Sequence, residues 1–139
     1  MIDFFFETDF LLQDEEALKK WIISTIAKEN HTLGELTFVF CDDDHLHKIN
    51  LEFLKHDTLT DIITFDYTLG KQLIGEIYIS IDRVKENALE FSISFDEELR
   101  RVIIHGVLHL CGFKDKTIED EKQMRQKEDQ YLELFNLLG

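Results

Sequence analysis

Two histidines and an aspartate are the residues of this sequence whose types and spacing predict a common chemistry. His105 and His109 lie four residues apart in the segment HGVLHLCGFKD, which ends at Asp115. Four residues of helix advance by about 400° and roughly 6 Å, so both imidazole rings face one side and can bind one ion. Gly112 favours the left-handed conformation that ends a helix and turns the chain back. That turn can bring Asp115 to a third ligand position.

The predicted ligands are typical of a catalytic metal site. Two neutral imidazoles and a carboxylate are common ligands of Zn²⁺, and they leave a fourth position for water or substrate. We therefore predict one Zn²⁺ per chain at His105, His109 and Asp115. The carboxylate oxygen also allows Mn²⁺ or Fe²⁺. The alternative, two structural histidines on an apolar helix, stays open at this point, although the following Gly-x-x-Asp makes it less favoured.

A helix that carries two histidines four residues apart is also typical of the zinc metalloproteases known as zincins. In those proteins a glutamate follows the first histidine and acts as general base. Gly106 occupies that position in this chain. Glycine cannot accept a proton, so peptide hydrolysis would need a base from elsewhere in the fold.

Length and composition predict one globular domain spanning residues 1–139. The chain has 44% hydrophobic residues and a formal net charge of −14, which favours a folded core and disfavours nonspecific nucleic-acid binding, including DNA. Its apolar runs are too short for a membrane span, and its start lacks the pattern of a signal peptide. We therefore expect a cytoplasmic protein without membrane contact. Cys41 and Cys111 are expected to be reduced and buried.

The pattern of apolar residues predicts an α/β (α+β) fold, in which a mixed sheet of about four strands packs with about five helices, one of them the zincin-like metal-binding helix. The predicted strands are Ile2–Phe6, Leu36–Cys41, Asp61–Tyr67 and Ile74–Ile81. The predicted helices begin near Asp14, at Asp43 or Asp44, at Asp82, at Ser94 or Asp96, and at Thr117.

The segment from His105 to Phe113 resembles the YbeY family of bacterial endoribonucleases and rRNA maturation factors. The family pattern there is H-G-x-L-H-L-x-G, an aromatic residue and D-H. Further matching positions are Asn50, Phe53, Asp57, Thr60, Asp61, Thr64, Phe65 and Gly75–Glu76–Ile77. The resemblance implies a metal-dependent endoribonuclease of single-stranded RNA that contributes to 16S rRNA 3′-end maturation and ribosome quality control. It also implies the ribosome or its small subunit as a partner.

Two departures from the family pattern concern the site. Asp115 stands where the family has a third metal-binding histidine, and Leu54 stands where it has an arginine thought to serve activity. Lys55 and Arg101 are therefore the candidate cations for RNA, and Arg101 could instead pair with Glu97. His105 is the predicted catalytic residue, because it belongs to the metal site.

Two other functions remain open from the sequence alone. The chain could be a metal-dependent hydrolase of another substrate, such as a peptide. It could also be a non-catalytic ribosome-associated factor whose metal is structural. The motif leaves the nucleophile undetermined, because either water or the 2′-hydroxyl of RNA could attack the phosphodiester.

Overall fold

A computed structural model describes residues 1–54 and 60–138 of the chain. Within these residues it contains four strands and five helices, as the sequence predicts. The strands are β1 (Ile2–Phe6), β2 (Thr32–Cys41), β3 (Ile62–Asp66) and β4 (Gln72–Ser80). The helices are α1 (Glu15–Lys28), α2 (Asp43–Leu54), α3 (Ile81–Phe91), α4 (Phe95–Leu110) and α5 (Ile118–Leu138).

The four strands form one mixed sheet in the order β1-β2-β4-β3. Strand β2 pairs in parallel with both β1 and β4, and β3 pairs antiparallel to β4. The predicted mixed α/β fold is therefore confirmed.

The two faces of the sheet carry separate apolar clusters. Because strand side chains alternate between faces, Phe38 and Phe40 of β2 point into the larger cluster while Cys41 points into the smaller one. The larger cluster includes fully buried Trp21 of α1 and the buried apolar residues of α4. The smaller cluster includes Leu46 of α2. Helix α4 thus lies on the sheet face that holds most of the core.

Two features of the sequence determine where α4 lies. The hydroxyl of Ser94 accepts a hydrogen bond from the backbone N–H of Glu97, so Ser94 is the N-cap. Ser94 is one of the two residues predicted for this position. Gly106 packs against the sheet so closely that a Cβ there would lie 2.9 Å from Ile62 Cδ1 and 3.0 Å from Ile77 Cγ2. Glycine therefore allows the helix to approach β3 and β4 closely.

Two predicted helix caps are wrong by one or two residues. The carboxylate of Asp42, rather than that of Asp43 or Asp44, accepts a hydrogen bond from the backbone of His45. The hydroxyl of Ser80, rather than Asp82, caps α3. The competing acid Asp43 pairs with Arg83 instead, at 3.1 Å.

Neither cysteine forms a disulfide, and their burial differs. Cys41 is buried as predicted, whereas Cys111 is only partly buried. Among residues 1–54 and 60–138, no helix combines the length and apolar character needed to cross a membrane.

Candidate metal centre

The C-terminal end of α4 is built around Gly112. The N–H of Gly112 donates to the carbonyl of His109, and the N–H of Phe113 donates to the carbonyl of Leu108. This pair of bonds is the Schellman motif, which requires a positive φ, and Gly112 has a φ of 104°. The motif turns the chain back over the last turn of α4, as the sequence predicts.

The turn brings the three predicted metal ligands together. The Nε2 atoms of His105 and His109 lie 3.0 Å apart, and each lies 3.4 Å from Oδ2 of Asp115. Among the described residues, these three form the one group of histidine, cysteine and acidic side chains that could hold a metal ion. The fold therefore forms a possible metal site at the predicted residues.

The hydrogen bond made by Nδ1 of each imidazole ring determines which nitrogen faces the site. Nδ1 of His105 lies 2.6 Å from Oε2 of Glu128, and Nδ1 of His109 lies 2.9 Å from the carbonyl oxygen of Phe113. An ionised carboxylate and a carbonyl only accept hydrogen bonds, so both Nδ1 atoms carry a proton. In the neutral form of each ring, Nε2 then carries the lone pair, so both Nε2 atoms can bind the same ion.

Glu128 of α5 links His105 to Arg101. Its Oε1 accepts a hydrogen bond from Arg101 at 2.9 Å, and the carboxylate is buried. Burial alone would raise the pKa of Glu128, but the hydrogen bonds from His105 and Arg101 leave the pKa lowered. Burial would likewise lower the pKa of His105, but its bond to Glu128 leaves that pKa raised. The carboxylate is therefore ionised and holds the His105 ring in place.

The sequence prediction missed Glu128, although the sequence contains a signal for it. Met124, Glu128 and Tyr131 occupy positions i, i+4 and i+7 of α5, which form one helix face, and all three are buried. A carboxylate on an otherwise apolar face needs a polar partner. Its identity could not be read from the sequence, because it depends on how α5 packs on α4.

Arg101 lies one helical turn before His105, as predicted. Its guanidinium pairs with Glu128 and, at 2.8 Å, with Asp129, rather than with Glu97. Its side chain is only 18% exposed. The other candidate cation, Lys55, lies outside the described residues.

Arg125 is a second arginine at the site, which the sequence prediction did not single out. It lines two cavities, and His105, Asp115 and Glu128 also line both of them. Its side chain is 60% exposed, and its nearest carboxylate oxygen is Oε1 of Glu128 at 3.8 Å. Arg125 is thus more accessible than Arg101.

One of these cavities, here named the Glu98 cavity, has a volume of about 300 Å³. His105 and Asp115 line one side of it, and Asp61, Phe91 and Glu98 line others. Burial, followed by the nearby charge of Asp61, raises the pKa of Glu98 to about 7. Burial also raises the pKa of Asp61.

Comparison with known proteins places this chain in a family. The family model described as Endoribonuclease YbeY matches residues 6–136. A Christiangramia forsetii protein named Endoribonuclease YbeY is 56% identical over 136 residues, which cover 98% of this chain and 95% of that protein. This chain belongs to the YbeY family.

A second relative and a solved structure agree with this assignment. The Flavobacterium johnsoniae protein of that name is 50% identical over 137 residues, covering 99% of each chain. The solution structure of TM1509 from Thermotoga maritima is similar with a TM-score of 0.70 and 29% identity, covering 97% of this chain and 89% of that one. The resemblance stated from the sequence is therefore confirmed for the family and for the fold.

Proposed function

We propose that this YbeY family member is a metal-dependent endoribonuclease that cleaves single-stranded RNA. The observation that carries the proposal is the convergence of His105, His109 and Asp115 on one point beside two cavities. Its relatives, which are named endoribonucleases, supply the reaction class. We further propose 16S rRNA 3′ ends as the substrate, a role in ribosome quality control, and the ribosome or its small subunit as partner.

The three side chains fit a tetrahedral metal ion. With metal–ligand bonds of about 2.0 to 2.1 Å, tetrahedral geometry places neighbouring ligand atoms about 3.3 Å apart. The corresponding separations here are 3.0, 3.4 and 3.4 Å. The two Nε2 atoms, 3.0 Å apart, can share a proton in a hydrogen bond, and a metal ion can take the place of that proton. We propose Zn²⁺ as the ion, and the oxygen ligand also allows Mn²⁺ or Fe²⁺.

A metal ion in this position would supply a Lewis acid for the phosphoryl oxygen or an acidified water. His105 is the proposed catalytic residue, because it is a ligand whose ring also borders the Glu98 cavity. Glu128 orients that ring through Nδ1, and Arg101 in turn holds Glu128. The single carboxylate ligand leaves a divalent ion near +1, so bound water should be less acidic than in a site of three histidines.

We assign the phosphate contact to Arg125 in preference to Arg101. A guanidinium binds a phosphate through two N–H groups, but both terminal nitrogens of Arg101 already bind carboxylates. Arg125 is exposed and lines both cavities. Lys55 stays a prediction as a further RNA contact.

The same geometry makes the two alternative functions less favoured. A glutamate in place of Gly106, as in the zincin proteases, would collide with Ile62 and Ile77 of the sheet. A structural zinc site normally has four protein ligands, whereas three converge among the described residues. Two of the three proposed ligands, His105 and Asp115, line both cavities, so a substrate in either cavity could reach the ion.

The first test combines metal analysis with RNA cleavage for untagged protein. We expect about one Zn²⁺ per wild-type chain and strongly reduced metal content in Asp115→Ala. Wild-type protein should cut a single-stranded 16S rRNA 3′ precursor, and chelation should stop it. Equal cleavage by wild type and the double variant His105→Ala/His109→Ala would exclude the proposed role of the metal.

A second test concerns Arg125. Arg125→Ala should raise KM for RNA about tenfold, as expected for loss of one charged hydrogen-bond partner. Lys48→Ala removes an equal charge from an exposed position on α2 and is the matched control. An equal effect of the two substitutions would indicate general electrostatics instead of a phosphate contact.

A further inference from the structure

Glu98 presents an unusual carboxylate beside the candidate metal site. Glu98 is only 3% exposed, and its Oε1 atom has no hydrogen-bond partner within residues 1–54 and 60–138. A buried acceptor without a partner is costly, so such an atom is normally satisfied by a donor from water, an ion or a ligand. Glu98 lines the same cavity as His105 and Asp115, so this buried acceptor belongs to a side chain in the cavity wall.

The Glu98 cavity combines this acceptor with an exposed aromatic ring. Phe91, the last residue of α3, lines the cavity and is 56% exposed. Asn87, one helical turn earlier, lines it as well, and its Nδ2 atom lies 3.4 Å from Oδ2 of Asp61. The cavity therefore offers an apolar ring surface, an amide, four carboxylates and two guanidinium groups.

These features match an unstacked nucleobase better than a second metal ion. Unpaired RNA bases stack on aromatic side chains and are recognised through hydrogen bonds to their edges. A second cation site would need several ligand atoms close together, but His105, His109 and Asp115 form the one such group in residues 1–54 and 60–138. The volume of about 300 Å³ is at the lower end of small-molecule pockets, which span roughly 300 to 1,000 Å³.

The acceptor atoms also indicate which bases would bind. Adenine, cytosine and guanine each carry an exocyclic amino group that donates hydrogen bonds, whereas uracil has only its ring N3–H as a base donor. We infer that the Glu98 cavity binds an amino-bearing base of single-stranded RNA next to the scissile phosphate, with Phe91 stacking on the base and Glu98 accepting from its amino group. This inference rests on the proposed RNA cleavage, and it adds a base preference that the metal site alone would not give.

Binding of nucleoside 5′-monophosphates tests the cavity without cleavage, because these probes contain no phosphodiester. In NMR titrations of wild-type protein, AMP, CMP and GMP should bind more tightly than UMP and shift the signals of Asn87 and Phe91. Glu98→Gln should reduce this preference, and Phe91→Ala should weaken all four nucleotides about tenfold. The matched controls are Glu97→Gln and Leu89→Ala, which are exposed neighbours on the same helices and should behave as wild type.

Cleavage of short RNAs then separates this inference from the proposed function. Wild type should cut an oligonucleotide with mixed bases at higher kcat/KM than oligouridine, and Glu98→Gln should remove most of that difference. Cleavage without base preference, unchanged in Glu98→Gln and Phe91→Ala, would overturn the cavity's role and leave the function intact. Nucleotide binding with the expected preference but without any RNA cleavage would support the cavity and contradict the proposed function.

Discussion

The beginning of α2 and the end of α4 both carry histidines near aspartates, yet their side chains have different tasks. At α2, Asp42 caps the helix and Asp43 pairs with Arg83. At α4, His105 and His109 converge with Asp115.

The contrast follows from spacing and from the partners of the second ring nitrogen. His45 and His47 are two residues apart, so a helix directs them to different sides. The pair in α4 is four residues apart, and Glu128 and the Phe113 carbonyl orient both rings. Residue composition alone therefore does not make a metal site, because the ligands must also face one point.

The largest expected effect comes from removing a ligand. His105→Ala should lose bound metal and reduce RNA cleavage by at least about 100-fold, because two ligands hold an ion poorly. His45→Ala on α2 should retain both properties. Mass spectrometry would measure the metal content of both variants, and kinetic assays would measure their cleavage rates. Loss of metal in both variants would contradict the proposed difference between the ends of α4 and α2.

The next effect concerns orientation of the ligand. Glu128→Gln should weaken metal affinity about 10-fold to 100-fold, because the neutral amide supports the protonated Nδ1 less well than a carboxylate. Asp43→Asn removes a charge from an ion pair at α2 and should leave affinity unchanged. A competition titration with a chromogenic chelator measures the metal affinity of both variants. Equal affinities for wild type and Glu128→Gln would exclude the role of Glu128 in orienting His105.

Much of this site could be predicted from the sequence, because its ligands are local. His105, His109, Gly112 and Asp115 lie within one helix end, where helical geometry and glycine conformation determine their positions. The strands and helices were predictable for the same reason, since apolar periodicity is a local signal.

The surrounding residues could not be predicted, because contacts between elements decide their partners. Glu128 and Glu98 reach the site through the packing of α5 and α4, and Arg101 binds acids of α5 instead of its own helix. The cap errors have a similar cause. Asp43 was a reasonable N-cap candidate, but Arg83 of α3 engages it in the folded chain.

Glu98 predicts a pH effect on stability. Its pKa rises from 4.5 to about 7 on folding, so the folded state binds more protons between these values and stability falls as pH rises. In metal-free protein, Glu98→Gln should match wild type near pH 4.5 and exceed it by about 2 to 3 kcal/mol above pH 7. Urea unfolding across this range measures the difference. The stability of Glu97→Gln should have the same pH dependence as that of wild type. The same pH dependence for Glu98→Gln would refute the raised pKa of Glu98.

The smallest effect tests the cap of α2. Asp42→Ala should lower stability by about 1 kcal/mol, because the hydrogen bond to the backbone of His45 is lost. Metal content should be unchanged, since α2 packs on the opposite sheet face. Asp44→Ala is the matched control, and an equal loss in both variants would place the cap elsewhere.

The bond between Glu128 and His105 has a consequence for biosynthesis. The histidines lie on α4, but the carboxylate that orients His105 lies on α5, which is synthesised later. A nascent chain in which α5 has not yet emerged and docked therefore carries both histidines without that orientation. Because a ligand that binds the folded form stabilises it, the proposed metal binding would couple metal uptake to the docking of α5.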